Sequence, residues 1–235
     1  MNQILASDKL YVTPKLKRKK KIYRFEFIAS LILVFVFSGW FIRSRIEQNE
    51  CEAISQEILE NMTIPDETTA EDQALVVAFN SEAEIVEEEQ EVDEVDTASY
   101  TDDAGTTYTY ESILSIPRLG IQYPVLSETS DELLKISLNK FWGGSPNSVG
   151  NYCIVGHNYR SGKMFGKLSQ INTGDTVYLQ DMSGKKLAYQ VYDKYVVYPE
   201  DVACTSQVTN GLKELTLITC TNGGKQRLIV KCRES

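Results

Sequence analysis

Leu215-Thr216-Leu217-Ile218-Thr219-Cys220 is followed, across Thr221-Asn222-Gly223-Gly224-Lys225-Gln226, by Arg227-Leu228-Ile229-Val230. An apolar run rich in β-formers, a glycine-bearing polar turn and a second apolar run predict two neighbouring strands. The turn brings Cys220 and Arg227 to the same end of the sheet. In the first strand Leu215, Leu217 and Thr219 share one face, and Thr216, Ile218 and Cys220 share the other. Cys220 is the last residue before the polar turn, so its sulfur can reach solvent or substrate. The chain holds one histidine, His157, closing another short apolar run, Tyr152-Cys153-Ile154-Val155-Gly156.

A thiol at its ordinary pKa is mostly protonated at neutral pH, so a nucleophilic cysteine needs a basic or cationic neighbour. His157 is the one imidazole available. A guanidinium stays charged and donates several hydrogen bonds, which suits Arg227 to an oxyanion formed at a carbonyl. Each residue alone has an ordinary explanation: a small buried hydrophobe, a loop histidine, a solvated strand-end charge. Together, with Gly156 and Gly223-Gly224 permitting close backbone approach, the three point to an activated thiol.

The net charge of −9 describes no single part of the molecule. Residues 1–45 hold ten Lys/Arg against two Asp/Glu, residues 46–103 hold twenty Asp/Glu and no Lys or Arg, and residues 104–235 hold fourteen basic and eleven acidic side chains. The basic segment leads into an apolar run from Phe25 to Ile42. Eighteen residues span roughly 27 Å as a helix, close to the ~30 Å hydrocarbon core of a bilayer. The expected division is a basic cytoplasmic tail over 1–24 and a transmembrane anchor over 25–42 in contact with membrane lipid. An acidic extracellular linker over 43–107 and a folded domain over 108–235 complete it. Seven basic residues from Lys15 to Arg24, just before the apolar run, against Arg43 and Arg45 after it favour a cytoplasmic N-terminus and a single-pass chain. The competing reading is a cleaved signal peptide. It would show a shorter apolar run and a small-x-small site, where this chain has Ser38-Gly39-Trp40 leading into bulky residues and arginines.

Glu47 to about Leu59 predicts a short helix with Ala53, Ile54 and Ile58 on one side. Asn61 to Asp103 is acidic and poor in aromatics, and such a segment buries too little apolar surface to offset chain entropy. It is expected to be a disordered spacer. Five cysteines (51, 153, 204, 220 and 232) make an odd count, so at least one is unpaired or pairs between chains. Cys153 and Cys232 lie inside strand-like runs and are expected to be buried; Cys204 sits in a connection and could be exposed. The spacings match no zinc pattern, and with one histidine neither a metal nor another cofactor is expected. No nucleic-acid partner is expected.

The folded part shows short apolar runs separated by turns. Ile113 to Leu126 is interrupted by Pro117, Gly120 and Pro124, and Asp131 to Leu138 has helical spacing behind a Ser130 or Asp131 cap. Asn151–Val155 and Asp175–Leu179 read as strands, and Met164–Leu168 as a turn or short helix. Met182-Ser183-Gly184-Lys185 reads as a hairpin turn into Lys186–Val197, where Leu187, Tyr189, Val191 and Tyr195 mark alternate residues. Seven or eight strands with little helix in about 130 residues argue for one β-barrel or sandwich.

Thr216-Leu217-Ile218-Thr219-Cys220 with Arg227 downstream, together with Val155-Gly156-His157, resembles the sortase family of cysteine transpeptidases. The resemblance covers roughly residues 113–233. Ile116-Pro117-Arg118-Leu119-Gly120-Ile121-Gln122-Tyr123-Pro124-Val125 is similar to the family's opening strands, and Gly150-Asn151-Tyr152 through His157, then Phe165, Leu168 and Gly174-Asp175, to its middle. The resemblance implies a mainly β fold: an eight-stranded sortase-type β-barrel with short helices, preceded by one transmembrane helix and the acidic linker. It implies a catalytic set of Cys220, His157 and Arg227, with Thr219 assisting in substrate binding. The implied substrates are surface proteins bearing an LPxTG-like sorting signal, and the implied acceptor is an amine of a peptidoglycan precursor or a pilin. The connection 198–213 would form one wall of the groove, and the loop from Phe141 to Val149 would partly cover it. The short Cys-to-Arg spacing is closer to class D or class A members, while the stretch after His157 has class B character. No acidic calcium cluster is evident.

Two other readings stand beside this one: a cysteine peptidase that only hydrolyses, and a membrane-tethered binding module without catalysis.

Overall fold

The computed structural model describes residues 14–62 and 96–235. The chain divides into two units, residues 1–49 and 50–235. Helix α1 runs from Pro14 to Asn61. In the first unit the helix carries a stretch long and apolar enough to cross a membrane. Its large side chains, Phe25, Phe35, Phe37 and Trp40 among them, are all exposed, an unfavourable arrangement in water and the favourable one in hydrocarbon.

The second unit is a barrel. Its strands are β1 (Ala98–Thr101), β2 (Thr107–Ile116), β3 (Ile121–Leu126), β4 (Leu138–Trp142) and β5 (Gly150–Gly156), with a one-turn helix α2 (Leu133–Ile136) before β4. They continue as β6 (Thr176–Asp181), β7 (Lys186–Val197), β8 (Lys213–Thr221) and β9 (Gln226–Glu234). The sheet runs β1-β2-β3-β4-β5-β8-β9-β7-β6, and β6 pairs back onto β2, so β2 to β9 close an eight-stranded barrel with β1 added to its edge. Closure removes the free edges that would otherwise invite pairing with another chain. β3–β4 and β5–β8 are parallel and the other pairs antiparallel.

Period-two alternation sorts the strands into an inside and an outside. Leu114, Tyr152, Ile154, Leu215, Leu217, Leu228 and Val230 belong to the core that fills the barrel, together with Phe165 and Leu168 from a 3₁₀ turn. Cys153, Ile218 and Ile229 lie on the outer face in a second cluster, with Val155, Tyr195, Val197 and Cys204 packed among them.

Four expectations need correction. The disordered spacer was expected to run through Asp103, within a linker reaching residue 107, yet Ala98–Thr101 pairs with Thr107–Tyr110, because Tyr100, Tyr108 and Tyr110 supply the apolar surface that the acidic segment before them lacks. The rest of that spacer, residues 63–95, and the first half of the basic tail, residues 1–13, lie outside the described residues. The helix after residue 47 presents Cys51, Ile54, Ser55 and Ile58 to the barrel, at spacings of three and four, and leaves Ala53 exposed. Tyr195 does not share a face with Tyr189 and Val191: a bulge between Val191 and Asp193 turns it to the outside. Cys204, whose place in a connection left it open to exposure, is buried under that connection.

Candidate active site

Register builds the site. In the parallel pair, Gly156 stands opposite Thr219, so His157 and Cys220, each one residue further, leave their strands side by side. In the antiparallel pair, Cys220 stands opposite Arg227, and Arg227 in turn opposite Val197. Adjacent strands are about 5 Å apart. Three residues separated by 63 and 7 positions in sequence thus form one row across the end of the barrel. One row below, Val155, Ile218, Ile229 and Tyr195 form an apolar floor. All of these belong to the outer face, because His157 shares its parity with Val155, Cys220 with Ile218 and Arg227 with Ile229.

Local chemistry fixes each member. The turn from β8 to β9 runs through Asn222, Gly223 and Gly224 at positive φ, which lets a short link reverse the chain and return Arg227 beside Cys220. The guanidinium donates through one terminal nitrogen to the carbonyls of Gly224 (2.9 Å) and Gln226 (3.1 Å). It has five N–H donors, so further ones remain for a substrate. His157 is half-buried, and its ring stands 5.1 Å from that of Tyr159 in a tilted contact. Burial lowers its pKa from the usual 6.5, Asp131 opposes that shift and Lys135 adds to it. At neutral pH the imidazole is therefore mainly neutral and able to accept a proton.

Thr219 requires a correction. It was expected to help bind substrate, but its side chain faces the barrel interior, away from Cys220, and is almost wholly buried. Its hydroxyl donates to the Gly156 carbonyl at 2.7 Å. Thr219 thus locks β8 to β5 at the level of the row formed by His157, Cys220 and Arg227 and touches no open surface.

The residue after the histidine carries a role the sequence did not signal. Asn158 Nδ2 donates to the Cys220 carbonyl at 2.8 Å, tying the histidine loop to the cysteine strand. Only its position next to His157 could have drawn attention to it.

The connection 198–212 is pinned to the outer face below the row. Asn151 Nδ2 donates to the carbonyls of Cys204 (2.8 Å) and Ser206 (3.0 Å), and the Gln207 amide brackets the Asn151 backbone on both sides. Lys231, buried beneath, donates to Thr216 Oγ1 at 2.9 Å and pairs with Glu214 at 3.2 Å. Beside this wall lies a cavity of about 600 Å³ lined by Ser127, Glu128, Thr129, Phe141, Trp142 and Gln207 among others. Phe141 and Trp142 are exposed, as are Val149, Val202 and Val208 on the flanking loops. Cys153, Cys204 and Cys232 are buried thiols, and burial raises the pKa of each. Cys220 is partly exposed at the strand end. Among the described residues no cluster of three or more His, Cys, Asp or Glu could hold a metal ion.

Residues 114–235 match the Sortase domain family. Sortase A of Bacillus anthracis is 28% identical over 110 residues, which are 46% of this chain and 51% of that protein. The match thus spans about half the length of that relative. Among solved structures, Sortase A from Corynebacterium diphtheriae superposes with a TM-score of 0.50 at 25% identity, covering 55% of this chain and 61% of that one. The pilus-related Sortase C of Group B Streptococcus does so with a TM-score of 0.50 at 26% identity, covering 54% and 67%.

Proposed function

From the premise that this chain belongs to the sortase family, we propose that it is a membrane-anchored cysteine transpeptidase of surface proteins. Cys220 Sγ attacks the Thr–Gly carbonyl of an LPxTG-like sorting signal while the neutral His157 takes the thiol proton. Arg227 donates to the oxyanion, and His157 returns the proton to the departing glycine amine, leaving an acyl thioester on Cys220. An acceptor amine, from a peptidoglycan precursor or a pilin lysine, then attacks the thioester and gives its proton to His157. The thiolate departs and recovers that proton. A thioester is resolved by an amine through the same base that formed it.

The observation that carries this reading is the row His157, Cys220, Arg227 at one end of three adjacent strands, on the face that also bears the pinned 198–212 wall. The 600 Å³ cavity lined by the exposed Phe141 and Trp142 has none of His157, Cys220 and Arg227 in its wall, so it suits an apolar part of the substrate remote from the scissile bond. The basic residues before the apolar part of α1 favour an N-terminus in the cytoplasm and a barrel outside the cell.

The test is cleavage of a fluorogenic LPxTG peptide by the full chain in detergent, with and without triglycine. The proposal expects the amine-ligated product to form and Cys220→Ala to form none. Hydrolysis at a rate indifferent to triglycine would instead make the protein a peptidase. Equal behaviour of wild type and Cys220→Ala would leave a binding module.

A further inference from the structure

The histidine loop is a closed unit. Phe165 N donates to the His157 carbonyl at 3.0 Å, and Asn158 and Met164 form a β-bridge, so Met164 and His157 move together. Met164 adopts φ 48°, ψ −121°, a conformation disfavoured for a residue with a side chain, and it is buried. Strained backbone of this kind persists only where its surroundings hold it. What holds it here is the Tyr123 hydroxyl, which accepts the Met164 N–H at 3.0 Å. That hydroxyl in turn donates to Glu52 Oε1 of α1 at 2.6 Å. One turn along the helix, Ser55 donates to the Ser137 hydroxyl, which donates to the carbonyl of Pro124, the residue next to Tyr123.

We propose that Tyr123 and Glu52 are positioning residues for His157, holding the imidazole over Cys220 through the backbone of Met164. The chain of contacts is continuous: Glu52 orients the phenol, the phenol holds Met164, the bridge holds the histidine loop, and Asn158 ties that loop to the Cys220 carbonyl. With the phenol hydrogen committed to the carboxylate, the oxygen lone pair faces the Met164 amide, so the two bonds set each other's direction. Burial raises the Tyr123 pKa far above its usual 10, with the Glu52 bond adding to it, so the phenol stays a donor at every working pH. The helix segment after residue 50 is, in this account, part of the active-site scaffold. The inference rests on the catalytic reading of His157 given above.

The single histidine makes the test direct. The full chain, purified in detergent on a tag without histidine and labelled with ¹⁵N-histidine, gives one set of imidazole resonances. Tyr123→Phe keeps the packing and removes the hydroxyl. We expect the imidazole resonances to shift and broaden and kcat for peptide turnover to fall about tenfold, with KM within twofold of wild type. Glu52→Ala should follow in the same direction, and Glu52→Gln, which keeps an acceptor, should restore wild-type values. Wild-type imidazole resonances and kcat in Tyr123→Phe, or a loss confined to KM, would overturn the proposal. If thermal melting shows Tyr123→Phe unfolded, Glu52→Ala against Glu52→Gln decides by the same readouts. A wild-type chain without turnover whose imidazole still shifts in the variants would refute the transpeptidase reading while supporting the positioning role.

Discussion

Replacing Gly156 by alanine tests how tightly the barrel fixes the row of His157, Cys220 and Arg227. A Cβ at this position would stand 2.4 Å from Leu138 Cδ2 and 3.0 Å from Phe165 Cδ2. Carbon atoms pack favourably at about 3.5–4.0 Å, so the first contact is short by roughly 1 Å. Leu138 and Phe165 are fully buried among Ile154, Met164 and Leu168, and a close-packed interior offers no void to receive them. Overpacking of this kind costs about 1–3 kcal/mol. At ~2 kcal/mol the melting temperature of a domain this size falls by roughly 4–8 °C. The easier relief is movement of the end of β5, which carries His157 as the next residue. A displacement near 1 Å costs catalysis on the order of 100-fold. Thermal melting by circular dichroism and kcat for peptide turnover, both on Gly156→Ala, measure the two effects. An alanine variant that melts with wild type and turns over within twofold of it would refute the packing argument.

Cys220→Ala and His157→Ala should each abolish peptide turnover, while Arg227→Ala should retain binding and lose about 100- to 1000-fold in rate, the usual effect of removing one oxyanion donor; steady-state kinetics with the fluorogenic peptide measures all three. Lys231→Ala leaves the buried Glu214 carboxylate with the exposed Arg233 and the Tyr192 hydroxyl, and should cost about 3 kcal/mol in urea unfolding, at the low end for breaking a buried pair. Burial lowers the His157 pKa, so the unfolded chain binds this proton more readily than the folded one. Its contribution to stability is therefore intact above pH 6.5 and declines as pH falls below that value. An imidazole C2-proton titration of the folded chain should show a midpoint below 6.5.

The strands around the site were legible because their signals are local. Alternation over 215–220, a polar turn of Asn-Gly-Gly, and an arginine heading the next apolar run together require Cys220 and Arg227 to meet. That His157 joins them depends on the parallel pairing of β5 with β8, which no local pattern encodes; the resemblance to a known family supplied it. The misassigned positions show where local reading ends. Tyr195 followed the strand's alternation in sequence but lies past a bulge, and a bulge leaves no compositional trace in Val191-Tyr192-Asp193. Thr219 belongs to the motif next to the cysteine, yet alternation alone places it on the opposite face, and its hydroxyl serves the Gly156 carbonyl. Cys204 was left open to exposure because a connection without strand character usually is exposed. Asn151, Gln207 and Lys231 fold that connection down over it, through contacts 27 to 56 residues apart in sequence. Tyr123 and Glu52 gave no signal at all, since a tyrosine in a strand and a glutamate in an acidic segment are ordinary in composition.

The central claim is that one thiol, Cys220, carries the acyl group. Intact-mass measurement of the full chain mixed with an LPxTG peptide and quenched in acid tests it most directly. The account predicts a mass gain equal to the peptide up to its threonine, mapped to Cys220 and discharged by added triglycine. No adduct, an adduct on Cys51 or Cys204, or one whose decay ignores the amine would contradict it.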